Sequence, residues 1–325
     1  MHRRSHLIYS ALALAAGSLL STPLWAADAW PSKPIRLIVP YPPGGSSDII
    51  ARSIGQLISQ ELKQTVVIDN KPGANGNLGA ELVARAQPDG YTWLLCDLGA
   101  LAISPSVYTK LSFDPSKDLR GAAMLAYSPH MLVVHPSVQA NNLQELVALS
   151  KKQDLNFAVT ATGSAPHLAG VELARLTGAK WVYVPYKGGV QSVQDTVAGQ
   201  TQVLMNGMLA TYPHVQSGKL KLLGISKNTR MPLIADVPTL AEQGAAGFAS
   251  GTWQGVVLPA KTPDAVIQKV NQALLTAIRS PEVRSRLTGQ GAEVVTMTPA
   301  ETDQFFKAER QRWRTVVQTA NLQLD

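Results

Sequence analysis

Two short Gly/Ser segments carry the residue types in this sequence that can bind an anion. The first is Gly44–Asp48 and the second is Thr162–His167, and each lies between a short apolar run and apolar residues at helical spacing. Free backbone amides at a helix N-terminus, together with hydroxyl groups, bind negatively charged groups. Neither segment contains lysine or arginine. A carboxylate would therefore be held by neutral donors, each charge-assisted hydrogen bond contributing about 1.5–3 kcal/mol. Taken alone, either segment is equally compatible with an ordinary βα turn.

The polar side chains in these segments have structural interpretations beside the ligand-binding one. Ser46 or Ser47 is predicted to cap the helix that follows. Asp48 would lie in the first turn, where it can fix the loop and pair with Arg52 four residues later. His167 is either a donor to the ligand or a packed polar side chain.

Catalytic patterns are weak in comparison. The serine in Thr162–Pro166 lacks the flanking pattern of a nucleophile elbow. A serine hydrolase using Ser164 and His167 is the enzyme alternative, but residues three apart at a helix start do not face each other as nucleophile and base. The histidines lack metal-site spacing, and Gly44–Asp48 lacks the lysine of a phosphate-binding P-loop. We expect a protein that is not an enzyme and that uses no cofactor and no metal.

The N-terminal residues predict export. Arg3 and Arg4 precede the uncharged apolar run Leu7–Leu20, and small residues follow at Ala26–Ala29. This pattern is typical of a cleaved signal peptide, here residues 1–26, with an uncleaved anchor as the alternative. The lone Cys96 cannot form an internal disulfide, so packed cores must stabilise the 325-residue chain. The net charge of +7 is spread along the sequence without a basic-aromatic cluster, so we expect no nucleic-acid partner.

Alternating strand and helix patterns position these segments. Strand, loop and helix alternate from Ile35 to Cys96, and a second alternating set runs from His130 to Ile225. Such βαβ order predicts an α/β fold with parallel sheets, in which ligands bind beyond the carboxyl ends of the strands. Tyr41–Asp48 and Asp97–Ala100 are therefore predicted to lie on one rim. A capping box at Thr298 opens a final helix that we expect to pack onto the first domain.

Ordered motifs extend over most of the chain. They are Trp30–Arg36, Val39–Asp48, Asn70–Gly79, Pro88–Thr92, Gly163–Leu168, Pro185–Gly188, Pro213–Leu220 and Asp236–Gly244. In residue type and order they resemble the Bug-type solute-binding receptors of tripartite tricarboxylate transporters. The resemblance begins at Trp30 and continues to the C-terminus.

This resemblance implies a type II periplasmic-binding-protein fold, in which two α/β domains close on a ligand like a Venus flytrap. Residues 30–127 with 252–325 would form one domain and residues 128–251 the other, with crossovers near 126–130 and 250–254. The family binds small carboxylic acids in the periplasm and delivers them to membrane permease subunits. We therefore expect a monomeric carrier with a carboxylic-acid ligand, and the alternative is a receptor that signals to a sensor kinase.

Combining the resemblance with the two segments gives a set of candidate ligand-binding residues. Tyr41 and Tyr186 would wall the cleft, and Asn206-Gly207 follow a predicted strand. The set is Tyr41, Gly44, Gly45, Ser46, Ser47, Asp48, Asp97, Ala100, Thr162, Gly163, Ser164, His167, Tyr186, Asn206 and Gly207.

Asp97 departs from the family pattern, in which small neutral residues often follow the third strand. An unpaired carboxylate beside a bound carboxylate would weaken binding by repulsion in a poorly solvated site. Three interpretations stay open at this point. Asp97 caps the helix that Ala100–Val107 suggests, or pairs with a cationic group of a zwitterionic ligand, or accepts a hydrogen bond from a ligand hydroxyl or protonated acid.

Overall fold

The computed structural model describes residues 30–319, which form a mixed α/β fold. The strands are β1 Ile35–Val39, β2 Val66–Asn70, β3 Thr92–Cys96, β4 Leu119–Val134, β5 Asn156–Val159, β6 Val182–Pro185, β7 Val203–Gly207, β8 Lys221–Ile225, β9 Gly251–Pro259 and β10 Glu293–Val294. The α-helices are α1 Ser46–Leu62, α2 Asn77–Ala84, α3 Ser104–Val107, α4 Leu143–Ser150, α5 Ala165–Thr177, α6 Gly189–Val197, α7 Met208–Gln216, α8 Asp264–Arg279, α9 Pro281–Gly289 and α10 Pro299–Thr319. A π-helical turn, Gly99–Ile103, runs directly into α3, and short 3₁₀ turns lie at Ala74–Gly76 and Pro232–Ile234.

The strands are arranged in the order β2-β1-β3-β9-β4-β7-β5-β6, with β8 and β10 pairing with β4 beside this path. Strands β1, β2 and β3 are parallel, as are β5, β6 and β7. Strand β9 is antiparallel to both β3 and β4, and β4 is antiparallel to β7. We call β1–β3 with their connecting segments the first strand group, and β5–β7 with theirs the second. The predicted α/β class is confirmed.

Two long strands link the two groups. Strand β4 has 16 residues and pairs with β9 from Leu119 opposite Pro259 to Pro129 opposite Gly251. Strand β4 then continues against β7, starting with His130 opposite Gly207. The predicted crossovers near 126–130 and 250–254 therefore fall inside β4 and around the start of β9. Residues 33–319 pack as one compact unit, and the predicted division into two domains stays a prediction.

Helix α1 shows how the apolar pattern seats a helix on the sheet. Ile50, Ile54 and Ile58 recur at a spacing of four residues, and each is fully buried. Burying such a side chain stabilises the fold by about 1.5–3 kcal/mol. Gly55 allows close approach, because a Cβ there would lie only 3.3 Å from the Ile68 side chain of β2. The helix therefore holds its N-terminus firmly at the edge of the first strand group.

The final helix α10 packs as the sequence predicts. Thr298 and Glu301 form a reciprocal cap: the Thr298 amide donates to the Glu301 carboxylate at 2.8 Å, and the Glu301 amide donates to the Thr298 hydroxyl at 3.2 Å. Phe306 and Trp313 then join the same apolar core as Leu94 of β3. The C-terminal helix thus covers the first strand group.

Several features concern the chain as a whole. The predicted signal peptide, residues 1–26, and most of its cleavage region lie outside the described residues. Cys96 is a free, buried thiol. Between residues 30 and 319, the helices are too short or too polar to cross a membrane. The same stretch holds no cluster of His, Cys, Asp or Glu side chains suited to a metal ion.

Candidate ligand-binding cleft

A cavity of about 40 Å³ lies beyond the carboxyl ends of strands from both groups. At about 10–15 Å³ for each water, this volume holds roughly three water molecules. Its wall comes from the segments after β1, β3, β5 and β7, from the start of α6, and from β9. The lining residues are Tyr41, Gly45, Ser46, Ser47, Asp97, Thr160, Pro166, Gly189, Asn206, Gly207, Ala210, Thr252 and Gln254.

Four helix N-termini meet this cavity. Ser46 begins α1, Pro166 lies in the first turn of α5, Gly189 begins α6, and Gly207 precedes α7. A helix N-terminus favours an anion through its first backbone amides and the positive end of the helix dipole. Some of these amides are already used: the His167 amide of α5 donates to Ser164, and the Leu209 amide of α7 donates to the Ser128 hydroxyl at 3.0 Å. Among the described residues, no lysine or arginine lines the cavity. The groups there that can attract an anion are therefore backbone amides and hydroxyls, and not cationic side chains.

The loop before α1 is organised by Asp48. Its carboxylate accepts hydrogen bonds from the Gly44 amide at 2.8 Å, from Arg52 Nε at 2.9 Å and from Asn70 Nδ2 at 3.0 Å. Burial acts to raise the pKa of Asp48, but these hydrogen bonds lower it below its usual value. Asp48 therefore fixes the loop and does not line the cavity. This geometry matches the structural interpretation of Asp48.

The predicted serine cap of α1 is wrong. Gly45 occupies the N-cap position, and no side chain caps the helix there. The reason is that the helical bonding begins one residue earlier, with the Ile49 amide donating to the Gly45 carbonyl at 2.9 Å. Ser46 and Ser47 consequently begin the helix itself and line the cavity with hydroxyl groups that no other described residue engages. Both serine hydroxyls are therefore available to a ligand.

The second Gly/Ser segment is used largely within its own turn. Ser164 caps α5, its hydroxyl accepting hydrogen bonds from the amides of Ala161 at 3.3 Å and His167 at 3.4 Å. His167 Nδ1 accepts from the Gly163 amide at 3.0 Å, and its ring packs edge-on against Tyr183. Burial lowers the pKa of His167, so the ring is neutral at neutral pH.

The flanks of this second segment, and not its centre, reach the cavity. Thr160 and Pro166 are part of the lining, whereas Thr162, Gly163, Ser164 and His167 are not. The turn therefore orients α5 toward the cavity and presents different residues from those that the sequence suggests.

Two buried amide side chains face the cavity with unpaired polar atoms. Asn206 Oδ1 accepts a hydrogen bond from the Thr160 hydroxyl at 3.3 Å, but Asn206 Nδ2 has no partner. Gln254 is only 1% exposed, and neither end of its amide has a partner. A buried polar group without a partner costs about 1–3 kcal/mol, so these atoms are poised to bind a ligand or water.

Gln254 and Thr252 are the principal lining residues that the sequence analysis missed. They lie two residues apart on β9, on the same face of the strand. Thr252 Oγ1 is 2.8 Å from Nε2 of the fully buried His130. The available signal was the two polar residues at i and i+2 within an otherwise apolar strand.

Asp97 both begins a helical segment and lines the cavity. Its Oδ1 accepts hydrogen bonds from the Tyr41 hydroxyl and from the Gly99 amide, each at 2.7 Å. The bond from Gly99 fits the helix-capping interpretation, and the contact with Tyr41 confirms that the two loops share one rim. Burial raises the pKa of Asp97 to about 6, although these two donors act to lower it.

The other predicted residues lie beside the cavity. Ala100 is fully buried in the core of the first strand group, and Gly44 donates its amide to Asp48. Tyr186 and Thr162 line a neighbouring pocket of about 220 Å³, which shares Tyr41 with the cavity. Tyr41 therefore forms the wall between the two spaces.

The loops of the two strand groups meet around the cavity. Asn75 Nδ2 donates a hydrogen bond to the Gly163 carbonyl at 3.1 Å. Gly188 lies so close to Pro42 that a Cβ on Gly188 would be 2.5 Å from Pro42 Cδ. These contacts close the cleft over the cavity, which explains its small volume.

A two-part α/β fold with its cavity closed between the strand groups is that of a periplasmic binding protein. The sequence profile of the family described as "tripartite tricarboxylate transporter family receptor" matches residues 50–322, and the chain belongs to this family. Protein BugT of Bordetella pertussis is 35% identical, over 92% of this chain and 93% of its own length.

Two solved structures from Rhodopseudomonas palustris are similar over nearly the whole chain. One is a protein described with adipate, which is 29% identical with a TM-score of 0.87, covering 90% of this chain and 99% of that one. The other is MatC with bound malate, which is 32% identical with a TM-score of 0.85, covering 89% of this chain and 100% of that one. Adipate and malate are both dicarboxylic acids.

Proposed function

We propose that this protein binds a small carboxylic acid in the cavity and carries it through the periplasm to the permease of a tripartite transporter. The observation that carries this proposal is the convergence of four helix N-termini on a cavity without lysine or arginine in its described wall. A carboxylate fits this environment because unpaired backbone amides and hydroxyls can each donate to it.

The ligands of the similar structures support the same chemical class. Malate and adipate are dicarboxylic acids of different length, and each is described with a protein about 30% identical to this chain. The side-chain donors for carboxylate oxygens in this protein are Ser46, Ser47, Asn206 and Gln254. Among the residues that line the cavity, these four are the side chains on which we place ligand binding.

Closure around the ligand would use the two long strands. Strands β4 and β9 are the elements that join the strand groups, and they pair along most of β9. A hinge within them would let the predicted domains, 30–127 with 252–325 and 128–251, open for ligand and close again. A monomer suffices for this cycle. A sensor kinase would recognise the same closed form, and the genes next to this one would distinguish signalling from transport.

Binding without catalysis is the second part of the proposal. The family and the similar structures are binding proteins. The Ser164 hydroxyl accepts from backbone amides, and His167 Nδ1 is occupied by the Gly163 amide. These bonds leave the pair engaged with backbone and not with each other as nucleophile and base.

A thermal-shift screen of carboxylic acids tests the proposal. At an acid concentration of about 100 times Kd, the folded state gains about 2.7 kcal/mol, so the melting temperature should rise for at least one acid. The matched control for each acid is its neutral amide, which keeps the shape and removes the charge. The proposal fails if no acid in the screen stabilises the protein, if amides stabilise as well as acids, or if the bound acid is turned over.

A further inference from the structure

The cavity wall contains a carboxylate as well as helix N-termini. Asp97 lies in the wall, and its side chain is partly buried there. In the described part of the chain, no lysine, arginine or histidine nitrogen lies within 4.0 Å of it. A carboxylate that is partly withdrawn from water gains from an opposite charge, because removing an ion from water is costly. Asp97 thus has the environment of a charged group whose partner is not part of the protein.

The neighbours of Asp97 orient it without neutralising it. Tyr41 has one hydroxyl proton, and its oxygen is 2.7 Å from Asp97 Oδ1 but 3.3 Å from the Asn75 carbonyl, so the proton is directed to Asp97. The Gly99 amide supplies the second donor to the same oxygen. Both donors are neutral, and both hold the carboxylate in place at the cavity wall.

A second acceptor lies in the same wall. Gln254 Oε1 is buried and unpaired, so the cavity offers two oxygen acceptors with spare capacity, one of which is a carboxylate. A ligand hydroxyl has a single proton to donate. A protonated amine has as many as three N–H donors, and its positive charge offsets that of Asp97.

We propose that the ligand carries a protonated amine beside its carboxylate, and that Asp97 selects this amine while the helix N-termini hold the carboxylate. This inference rests on the proposed carboxylate-binding function and narrows it to zwitterionic acids. Asp97 and Gln254 Oε1 accept N–H donors on one side. The amides and hydroxyls at the start of α1, with Asn206 Nδ2, donate to the carboxylate on the other side.

Matched ligands test the selection on the wild-type protein. One trio is succinate, malate and aspartate, and the other is adipate, 2-hydroxyadipate and 2-aminoadipate; within each, only one substituent changes. Calorimetric titration should give the tightest binding for the amino member of at least one trio, by about tenfold or more over the unsubstituted acid. A hydroxy acid that binds as tightly as its amino counterpart would show that Asp97 accepts a hydroxyl and would overturn the inference.

Asp97→Asn then assigns the selectivity to this residue. The amide keeps the shape and the acceptor oxygen for Tyr41 and Gly99, so the affinity for the amino acid should fall about ten- to hundredfold. The affinity for the unsubstituted acid should hold or rise, because a like charge has been removed. Asp89→Asn is the matched control, since Asp89 pairs with Lys33 at the surface and touches no part of the cavity. Its affinities should equal those of the wild type.

The outcomes separate this inference from the function on which it rests. If acids bind but the three members of each trio bind equally, and Asp97→Asn changes none of them, Asp97 is only a helix cap and the inference fails alone. If no acid binds, the proposed function fails and the inference fails with it. If Asp97→Asn does not fold, the wild-type ratios within the trios decide.

Discussion

The replacement Gly188→Ala should weaken ligand binding by blocking closure of the cleft. Gly188 precedes α6 in the second strand group, and its φ of 166° is an extended conformation that alanine adopts without strain. Its added Cβ would lie 2.5 Å from Cδ and 2.8 Å from Cγ of Pro42, which belongs to the loop after β1. The conflict therefore arises where the loops of the two strand groups meet.

The size of the effect follows from this overlap. Cβ atoms essentially never approach a heavy atom within 3.0 Å, and the ring of Pro42 cannot rotate away as a flexible side chain would. Overpacking of this kind costs about 1–3 kcal/mol. If only the closed form carries that cost, the affinity for ligand should fall by roughly 5- to 150-fold. The stability of the ligand-free, open protein should change by less than about 0.5 kcal/mol.

Calorimetry for the affinity, and small-angle scattering for compaction, measure the effect. Gly289→Ala is the matched control, because a Cβ at that position meets no atom within 4 Å. It should bind as the wild type does and compact equally when ligand is added. Wild-type affinity and compaction in Gly188→Ala would refute the argument. So would a loss of 1–3 kcal/mol in ligand-free stability, because it would mean that the free protein is already closed.

Two further predictions concern the serines and a buried histidine. Ser46→Ala and Ser47→Ala should each weaken acid binding about fivefold where the hydroxyl contacts the ligand, as calorimetry can measure. Ser164→Ala should instead lower the unfolding free energy by about 0.5–2 kcal/mol through loss of the α5 cap, as urea denaturation can measure. Equal losses of affinity in all three variants would contradict the assignment. Burial lowers the pKa of His130 to about 3, below its unfolded value of about 6.5, so the unfolded state binds the extra proton and the unfolding free energy should fall by about 1.4 kcal/mol for each pH unit below about 6.5. His130→Asn should flatten that slope in urea titrations at several pH values. An unchanged slope would show that other groups cause it.

The sequence predicted the features that depend on local signals. Apolar spacing located helix α1, and the order of strands and helices placed the loops after β1 and β3 on one rim, as the bond from Tyr41 to Asp97 shows. The capping box at Thr298 was also correct. These features are set by residues close together in the chain, or by the rule that parallel strands end at one edge.

Other features depend on long-range pairing or on competition between groups. Gln254 reaches the cavity because β9 pairs with β4, with Gln254 opposite Ala126, and nothing near Gln254 in the sequence specifies that register. The cap of α1 was misassigned because glycine, serine and aspartate are neighbours there and each is acceptable at the N-cap, and the bond from the Ile49 amide to the Gly45 carbonyl places the cap at Gly45. Propensity alone cannot rank such competitors, since Ser and Asp are similarly good caps.

The choice of neutral donors bears on what a carrier must do. An arginine in the cavity would bind a carboxylate through two parallel charge-assisted bonds and would add affinity, but release to a permease would become slower. Here the nearest arginine to the loop, Arg52, is held by Asp48 and Asn70 outside the cavity. In the proposed site, helix N-termini and hydroxyls would attract the anion mainly while the loops around them are closed, because they act over the distance of a turn. Opening the contact between Gly188 and Pro42 would therefore remove most of the attraction at once, which couples ligand release to opening of the cleft.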